Sequence, residues 1–128
     1  MIDKNDAIVI ENPTYPNAYS LFESLKANIY PINIDSEGIS VKKIECEKPK
    51  FIYTTPSNQY PSGVKMSMKR RLELLAWASI KSTYIIEDDY NHEFSNWENP
   101  IASVFSLDQQ ERTIYLVLLI NYYILPFD

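Results

Sequence analysis

Residues 83–90 read Thr83-Tyr84-Ile85-Ile86-Glu87-Asp88-Asp89-Tyr90, a β-type run that passes without a break into three carboxylates. Its apolar residues are consecutive rather than alternating, which describes a strand covered on both faces. Upstream, Ser67 can cap a helix in which Met68, Leu72, Leu75 and Ser79 line one side, widened by Ala76. Before that helix, Phe51-Ile52-Tyr53-Thr54-Thr55 is another buried-type strand, closed by Pro56 and a polar loop to Gly63. Asp35-Ser36-Glu37-Gly38 is a turn, and Ile29 to Ile34 alternates, with Pro31 demoting it to an edge strand. From Tyr15 to Lys26, Ala18, Leu21, Phe22 and Leu25 keep helical spacing behind the β-branched run Ala7-Ile8-Val9-Ile10, which Asn12-Pro13 ends. Downstream, Thr113-Ile114-Tyr115-Leu116 begins a last strand. Strand–helix–strand alternation with unalternated strands predicts an α/β fold on a parallel sheet. Ligands of such sheets sit at the C-terminal strand ends, where Glu11–Tyr15, Pro56–Gly63 and Glu87–Glu93 fall.

The 128 residues fit one modest domain, and 45% hydrophobic content is ample for its core. A net charge of −5 repels phosphate backbones, so this segment is not expected to bind nucleic acid. The single Cys46 excludes an internal disulfide and suits a reducing cytosol. No signal peptide opens the chain, and Ile114–Leu125 is too short and too tyrosine-rich to span a bilayer. A soluble, cytoplasmic chain without membrane contact is expected.

Each polar cluster admits more than one reading. Asp88, at the end of a buried strand, can face a ligand cation, with Tyr90 on the same side. The run can equally be a solvated acidic strand end, or a metal site with Asp89, His92 and Glu93. In the loop Thr55–Gly63, two prolines and a glycine fix the shape, while Asn58 and Gln59 offer side-chain amides. It can also be an ordinary rigid turn, and Glu11–Pro16 a plain helix entry with Tyr15 on the core. Lys69-Arg70-Arg71 reads as a solvated helix face and the lone His92 as a surface histidine. No Ser/His/Asp or Cys/His arrangement, glycine-rich phosphate loop or CxxC is present.

In this order the clusters resemble the fold-type-I, pyridoxal-phosphate-dependent aminotransferase domain of the MocR subfamily of GntR-type regulators. The E-x-P-x-Y segment is Glu11-Asn12-Pro13-Thr14-Tyr15, and the T-P-S-H-Q-[FY]-P-[ST]-G loop is Thr55 to Gly63, with Asn58 replacing histidine. The M-S-x-x-R-R-x-x-L-L-x-x-A helix is Met66 to Ala78, and E-D-D-Y-x-x-E-[FY] is Glu87 to Phe94. The likeness runs from Asp6 to Leu116. It implies a partial α/β/α major domain over residues 1–116, with pyridoxal 5′-phosphate as the parent's cofactor.

The resemblance gives Asp88 the cofactor's pyridine nitrogen, Tyr90 its 3′ oxygen and Tyr15 a place close to the ring. It sets Asn58 and Gln59 in the loop that approaches it. It also implies a homodimeric parent that binds DNA through a separate N-terminal domain and answers to an amino acid or cofactor effector. A transaminase parent and an inactive remnant are the other readings. The family's cofactor-anchoring lysine follows the last strand, but no lysine occurs after Lys81, so the segment is expected to lack it. Residues 117–128 read as an aberrant, frame-shifted tail. One permissible coding of Val117–Tyr123, shifted by a single restored G, spells Gly-Thr-Phe-Asn-Lys-Leu-Leu.

Overall fold

Alternation along the strands decides which residues meet which helix. In the computed structural model, which describes residues 2–90 and 101–117, the strands are β1 (Ala7–Asn12), β2 (Asn28–Asp35), β3 (Gly38–Ile39), β4 (Phe51–Thr54), β5 (Tyr84–Asp89) and β6 (Thr113–Val117). The helices are α1 (Pro16–Ser24), α2 (Met68–Lys81) and the short α3 (Val104–Leu107), with a 3₁₀ turn at Val41–Lys43. They form one sheet of order β3-β2-β1-β4-β5-β6, parallel throughout except for the β2–β3 pair. Ile8, Ile10, Phe51, Tyr53 and Ile86 pack with Ala18 and Phe22 of α1. Val9, Ile52 and Ile85 pack with Leu74 and Ala78 of α2 and Val104 of α3. Both faces of the central strands are therefore core, which is why their sequences do not alternate.

From β1 the chain crosses through α1 to β2 on one side, and from β4 through α2 to β5 on the other. Right-handed crossovers running in opposite directions leave their helices on opposite faces. The strand order reverses between β1 and β4, which opens a crevice at their carboxyl ends.

Most elements lie where the sequence put them. Pro31 pairs opposite Ile10, and β3 covers only Ile34 and Asp35 of β2, so the proline lies along an open edge. Asp35 closes the expected turn by accepting from the Glu37 amide at 2.8 Å. Gly38 has φ +115°, and a Cβ there would meet Met66 Cγ at 3.0 Å, so conformation and space both require glycine. Ser67 caps α2 by accepting from the Arg70 amide at 3.0 Å.

The inward face of α2 is corrected. Its buried residues are Arg71, Leu74 and Ala78, whereas Leu72, placed on the apolar side by spacing, is 51% exposed. The solvated Lys69-Arg70-Arg71 face is corrected with it. Arg71 is 1% exposed and donates to the carbonyls of Met66 (2.9 Å), Ala102 (3.0 Å) and Pro56 (3.1 Å). Loop carbonyls beside a buried helix start need donors, and a planar guanidinium satisfies three at once. Arg70 pairs with Asp35 at 3.0 Å and Glu73 at 3.1 Å and donates to the Ile39 carbonyl at 2.7 Å. Only Lys69 of the three is exposed.

β6 continues through Val117, which pairs with Asp89, so the ladder crosses the expected boundary after Leu116. The rest of the expected tail, and His92, Glu93 and Phe94 of the fourth motif, lie outside the described residues. Among the described residues no helix is long and apolar enough to cross a membrane.

Candidate functional site

Glu11 stands at the carboxyl end of β1, at the point where the strand order reverses, and it is fully buried. Oε2 accepts from Thr54 Oγ1 at 2.6 Å, and Oε1 from Thr55 Oγ1 at 2.9 Å, the Thr55 amide at 3.3 Å and Gln59 Nε2 at 3.3 Å. Burial pushes this carboxyl above its ordinary range, and the four hydrogen bonds offset only part of that. Gln59 Nε2 also donates to the carbonyls of Pro13 (2.7 Å) and Tyr60 (2.6 Å). Its Oε1 accepts from the Ser62 amide (3.1 Å) and hydroxyl (2.5 Å). The β1–α1 and β4–α2 loops are thereby tied to each other across the crevice.

The acidic run at the end of β5 divides between the two faces of the sheet, as strand alternation requires. Glu87 faces α3 and accepts from the amides of Val104 (3.1 Å) and Phe105 (2.7 Å), while Asp89 accepts from the Tyr115 hydroxyl. Asp88 faces α1. It lines a cavity of about 420 Å³ with Tyr15, Ala18, Phe22, Tyr53 and Ile86. The Tyr53 hydroxyl donates to Asp88 Oδ2, and Oδ1 is buried without a partner among the described residues. Burial raises the Asp88 carboxyl, Asp89 adds to the rise, and the Tyr53 hydrogen bond works against it. All three carboxylates are buried, which removes the solvated strand end as a reading. Among the described residues no group of three His, Cys, Asp or Glu is placed to hold a metal ion.

Tyr15, in the wall of this cavity, begins a row of three tyrosines from three loops. Tyr15 and Tyr60 lie edge to face with centroids 5.1 Å apart, and Tyr60 and Tyr90 likewise at 6.0 Å. Burial, and then Tyr60, raises the Tyr90 phenol, which keeps it a donor. Of the five residues expected at the site, Asp88 and Tyr15 share the cavity, and Tyr90 joins through Tyr60. Asn58 is half-buried beside Gly63 and is not part of the cavity wall. Gln59 is turned inward, its amide committed to the two loops. Tyr53 and Tyr60 are additions: the [FY] position of the loop motif signals Tyr60, but a tyrosine inside a strand reads as plain core.

The arrangement is suited to a ligand that brings a cationic N–H to the unpartnered oxygen of Asp88 and a flat ring beside Tyr15. Thr14 Oγ1, next to Tyr15, is a second buried polar atom without a partner. A pyridinium ring fits both the charge and the shape of such a lining.

No family model matches the chain. It is 41% identical to the uncharacterized HTH-type transcriptional regulator YdeL of Bacillus subtilis, over 98% of this chain and 29% of that protein. It is 32% identical to the "Probable rhizopine catabolism regulatory protein MocR" of Rhizobium meliloti, over 91% of this chain and 24% of that one. An archaeal alanine:glyoxylate aminotransferase structure superposes with a TM-score of 0.84 at 36% identity, over 93% of this chain and 32% of its own. With the strand order and the buried strand-end aspartate, these likenesses define the class: the chain is a segment of an aminotransferase-like domain of fold type I. Its relatives within that class are MocR-type transcriptional regulators of the GntR group, together with aminotransferases. The chain spans less than a third of the length of each protein just named.

Proposed function

We propose that the chain is the part of a MocR-type regulator that receives the ring of pyridoxal 5′-phosphate, with Asp88 as its nitrogen-binding residue. The observation that carries this reading is that Asp88, which lines a cavity with Tyr15, has a buried Oδ1 without a partner among the described residues. Asp88 would accept from the ring nitrogen and keep a proton on it. Tyr15 would flank the ring, and the Tyr90 phenol would donate to the 3′ oxygen. Asn58 would approach from the loop that Gln59 and Glu11 hold in shape. When bound, the cofactor supplies an electron sink for chemistry at an amino group's α-carbon. In a regulator the same site reports an amino acid or the cofactor itself, in a cytoplasmic homodimer whose DNA contacts lie in a separate helix-turn-helix domain. Similarity to YdeL supports that parent. A catalytic parent is the second reading, supported by the aminotransferase likeness, and a helix-turn-helix segment encoded upstream separates the two.

The test is titration of the purified chain with pyridoxal 5′-phosphate, followed by tyrosine and tryptophan fluorescence. Asp88→Asn is expected to weaken binding about tenfold or more, since it removes a charge-assisted hydrogen bond. Tyr90→Phe acts more mildly, by about 0.5–1.5 kcal/mol. Equal affinities for the original chain and both variants refute the assignment.

A further inference from the structure

Tyr53 lies in the middle of β4, 3% exposed, with its ring edge-on to Phe22 at 5.6 Å. Its register partner on β5 is Ile86, so Asp88 lies two residues further toward the carboxyl end on the same face. Two residues of strand rise about 6.6 Å, close to the reach of a phenol from its Cα. The hydroxyl therefore arrives beside the Asp88 carboxylate and donates to Oδ2. A phenylalanine would fill the same space in the α1-side core. The hydroxyl adds nothing to that packing and loses its hydration there, a loss its bond to Asp88 offsets. The consequence is asymmetry within one carboxylate: Oδ2 is held, and Oδ1 is buried without a partner among the described residues.

We propose that Tyr53 is a positioning residue: by holding Oδ2 of Asp88 it fixes the carboxylate so that Oδ1 is the atom presented to a cationic ring nitrogen in the cavity. The identity of the ligand rests on the cofactor reading above, whereas the hold of Tyr53 on Asp88 does not. The Tyr53 phenol is pushed far above its ordinary range by burial and by Asp88, so it stays a donor wherever the chain is folded. The other titratable groups that act on this pair are Glu11 from β1, Tyr15 from the β1–α1 loop and Asp89 and Tyr90 from the end of β5. None of them donates to Oδ2, so Tyr53→Phe leaves the carboxylate free to turn and less inclined to ionise. With Tyr53 in place, the site should favour a ring that carries a protonated nitrogen over one that does not.

Two measurements on the full chain test this, with Phe51→Leu as a control that disturbs the same α1-side core, outside the cavity wall, and spares the hydroxyl. In the ligand-free chain, carboxyl-carbon NMR follows the titration of Asp88. Tyr53→Phe is expected to move its midpoint to higher pH, and Phe51→Leu to leave it in place. Binding is then compared for pyridoxal 5′-phosphate and its 1-deaza analogue, in which CH replaces the ring nitrogen. The original chain is expected to prefer the former, and Tyr53→Phe to shrink that preference about three- to tenfold by weakening only the nitrogen-bearing probe. An Asp88 midpoint that Tyr53→Phe does not raise, or a preference it leaves intact, overturns the proposal. If the original chain takes both probes equally while the midpoint still shifts, the cofactor reading fails and the hold on Asp88 is upheld.

Discussion

Glu11 is a carboxylate held by four neutral donors, at the place where the sheet is most enclosed. Burial raises its folded-state pKa, as it does those of Glu87 and Asp88. Each of these groups binds its proton more tightly folded than unfolded. Their contribution to stability is therefore fully present below the ordinary values of 4.5 and 3.8, and is lost as pH rises through the raised ones. Asp35 and Asp108 act the other way: hydrogen bonds lower them, and their contribution is lost as pH falls below 3.8. The urea midpoint should therefore rise as pH falls through the raised values toward the ordinary ones of 4.5 and 3.8. Glu11→Gln should flatten part of that slope and leave the fold intact. The amide oxygen can keep the three Oε1 donors, and its nitrogen can donate to a turned Thr54 hydroxyl. Glu11→Leu orphans those donors and should cost at least about 2 kcal/mol. An unchanged slope in Glu11→Gln would show that Glu11 stays ionised across the range. At this scale Asp88 stood out only through the likeness of Glu87–Phe94 to the family's motif, since the strand end alone read equally as a solvated acidic run. Tyr53 did not stand out, since pairing it with Asp88 requires the β4–β5 register, which neither strand encodes alone.

Elements were legible where their own residues close them and illegible where another element does. Ser67 caps α2 from its own sequence, and that start was foreseen. The helix α3 has only four residues and depends on Glu87, seventeen positions before Val104, to accept its first amides. Ser103 caps it locally by accepting from the Ser106 amide at 3.0 Å, but four residues are too few to show a helical face. The inward face of α2 was misplaced for a related reason, because periodicity ranks leucine above arginine for burial. Here Arg71 is core: it bridges Met66, Pro56 and Ala102, and its charge acts favourably on Glu87. Arg71→Met should lower stability by about 3 kcal/mol or more, since it leaves three loop carbonyls without their donor. Arg71→Lys should recover little, since an ammonium lacks the planar fork. Lys69→Gln, on the exposed turn beside it, should stay within about 0.5 kcal/mol. Urea midpoints for the three variants check this. Near-equal losses at Arg71 and Lys69 would restore the solvated-face reading.

At the scale of the whole molecule, the class of sheet was legible from unalternated strands, but the order reversal between β1 and β4 was not. Parallel pairing leaves no mark of which neighbour a strand takes, and here that choice builds the crevice. The same parallelism distributes the lysines. Lys4, Lys26, Lys50 and Lys81 each stand just before β1, β2, β4 and β5, so they gather at the amino end of the sheet. Asp88 is at the carboxyl end, and a strand of five or six residues separates the two ends by roughly 17–20 Å. Lys65 and Lys69 are near the carboxyl end, but they flank Met66 and α2, on the opposite face from the α1-side cavity. Lys42 and Lys43 lie in the 3₁₀ turn and Lys48 follows it, alongside β2 and α2 rather than α1. Every lysine of the chain is thus among the described residues, and none lines the Asp88 cavity. Pyridoxal 5′-phosphate should therefore associate with this chain reversibly, without covalent fixation in the cavity. Borohydride treatment of the mixture, followed by peptide mapping, is expected to leave substoichiometric label spread over several exposed lysines. The label should be insensitive to Asp88→Asn, because it reports surface amines and not the site. One equivalent of label on a single lysine, lost in Asp88→Asn, would mean that a lysine reaches the cavity and that the arrangement of the faces described above is wrong.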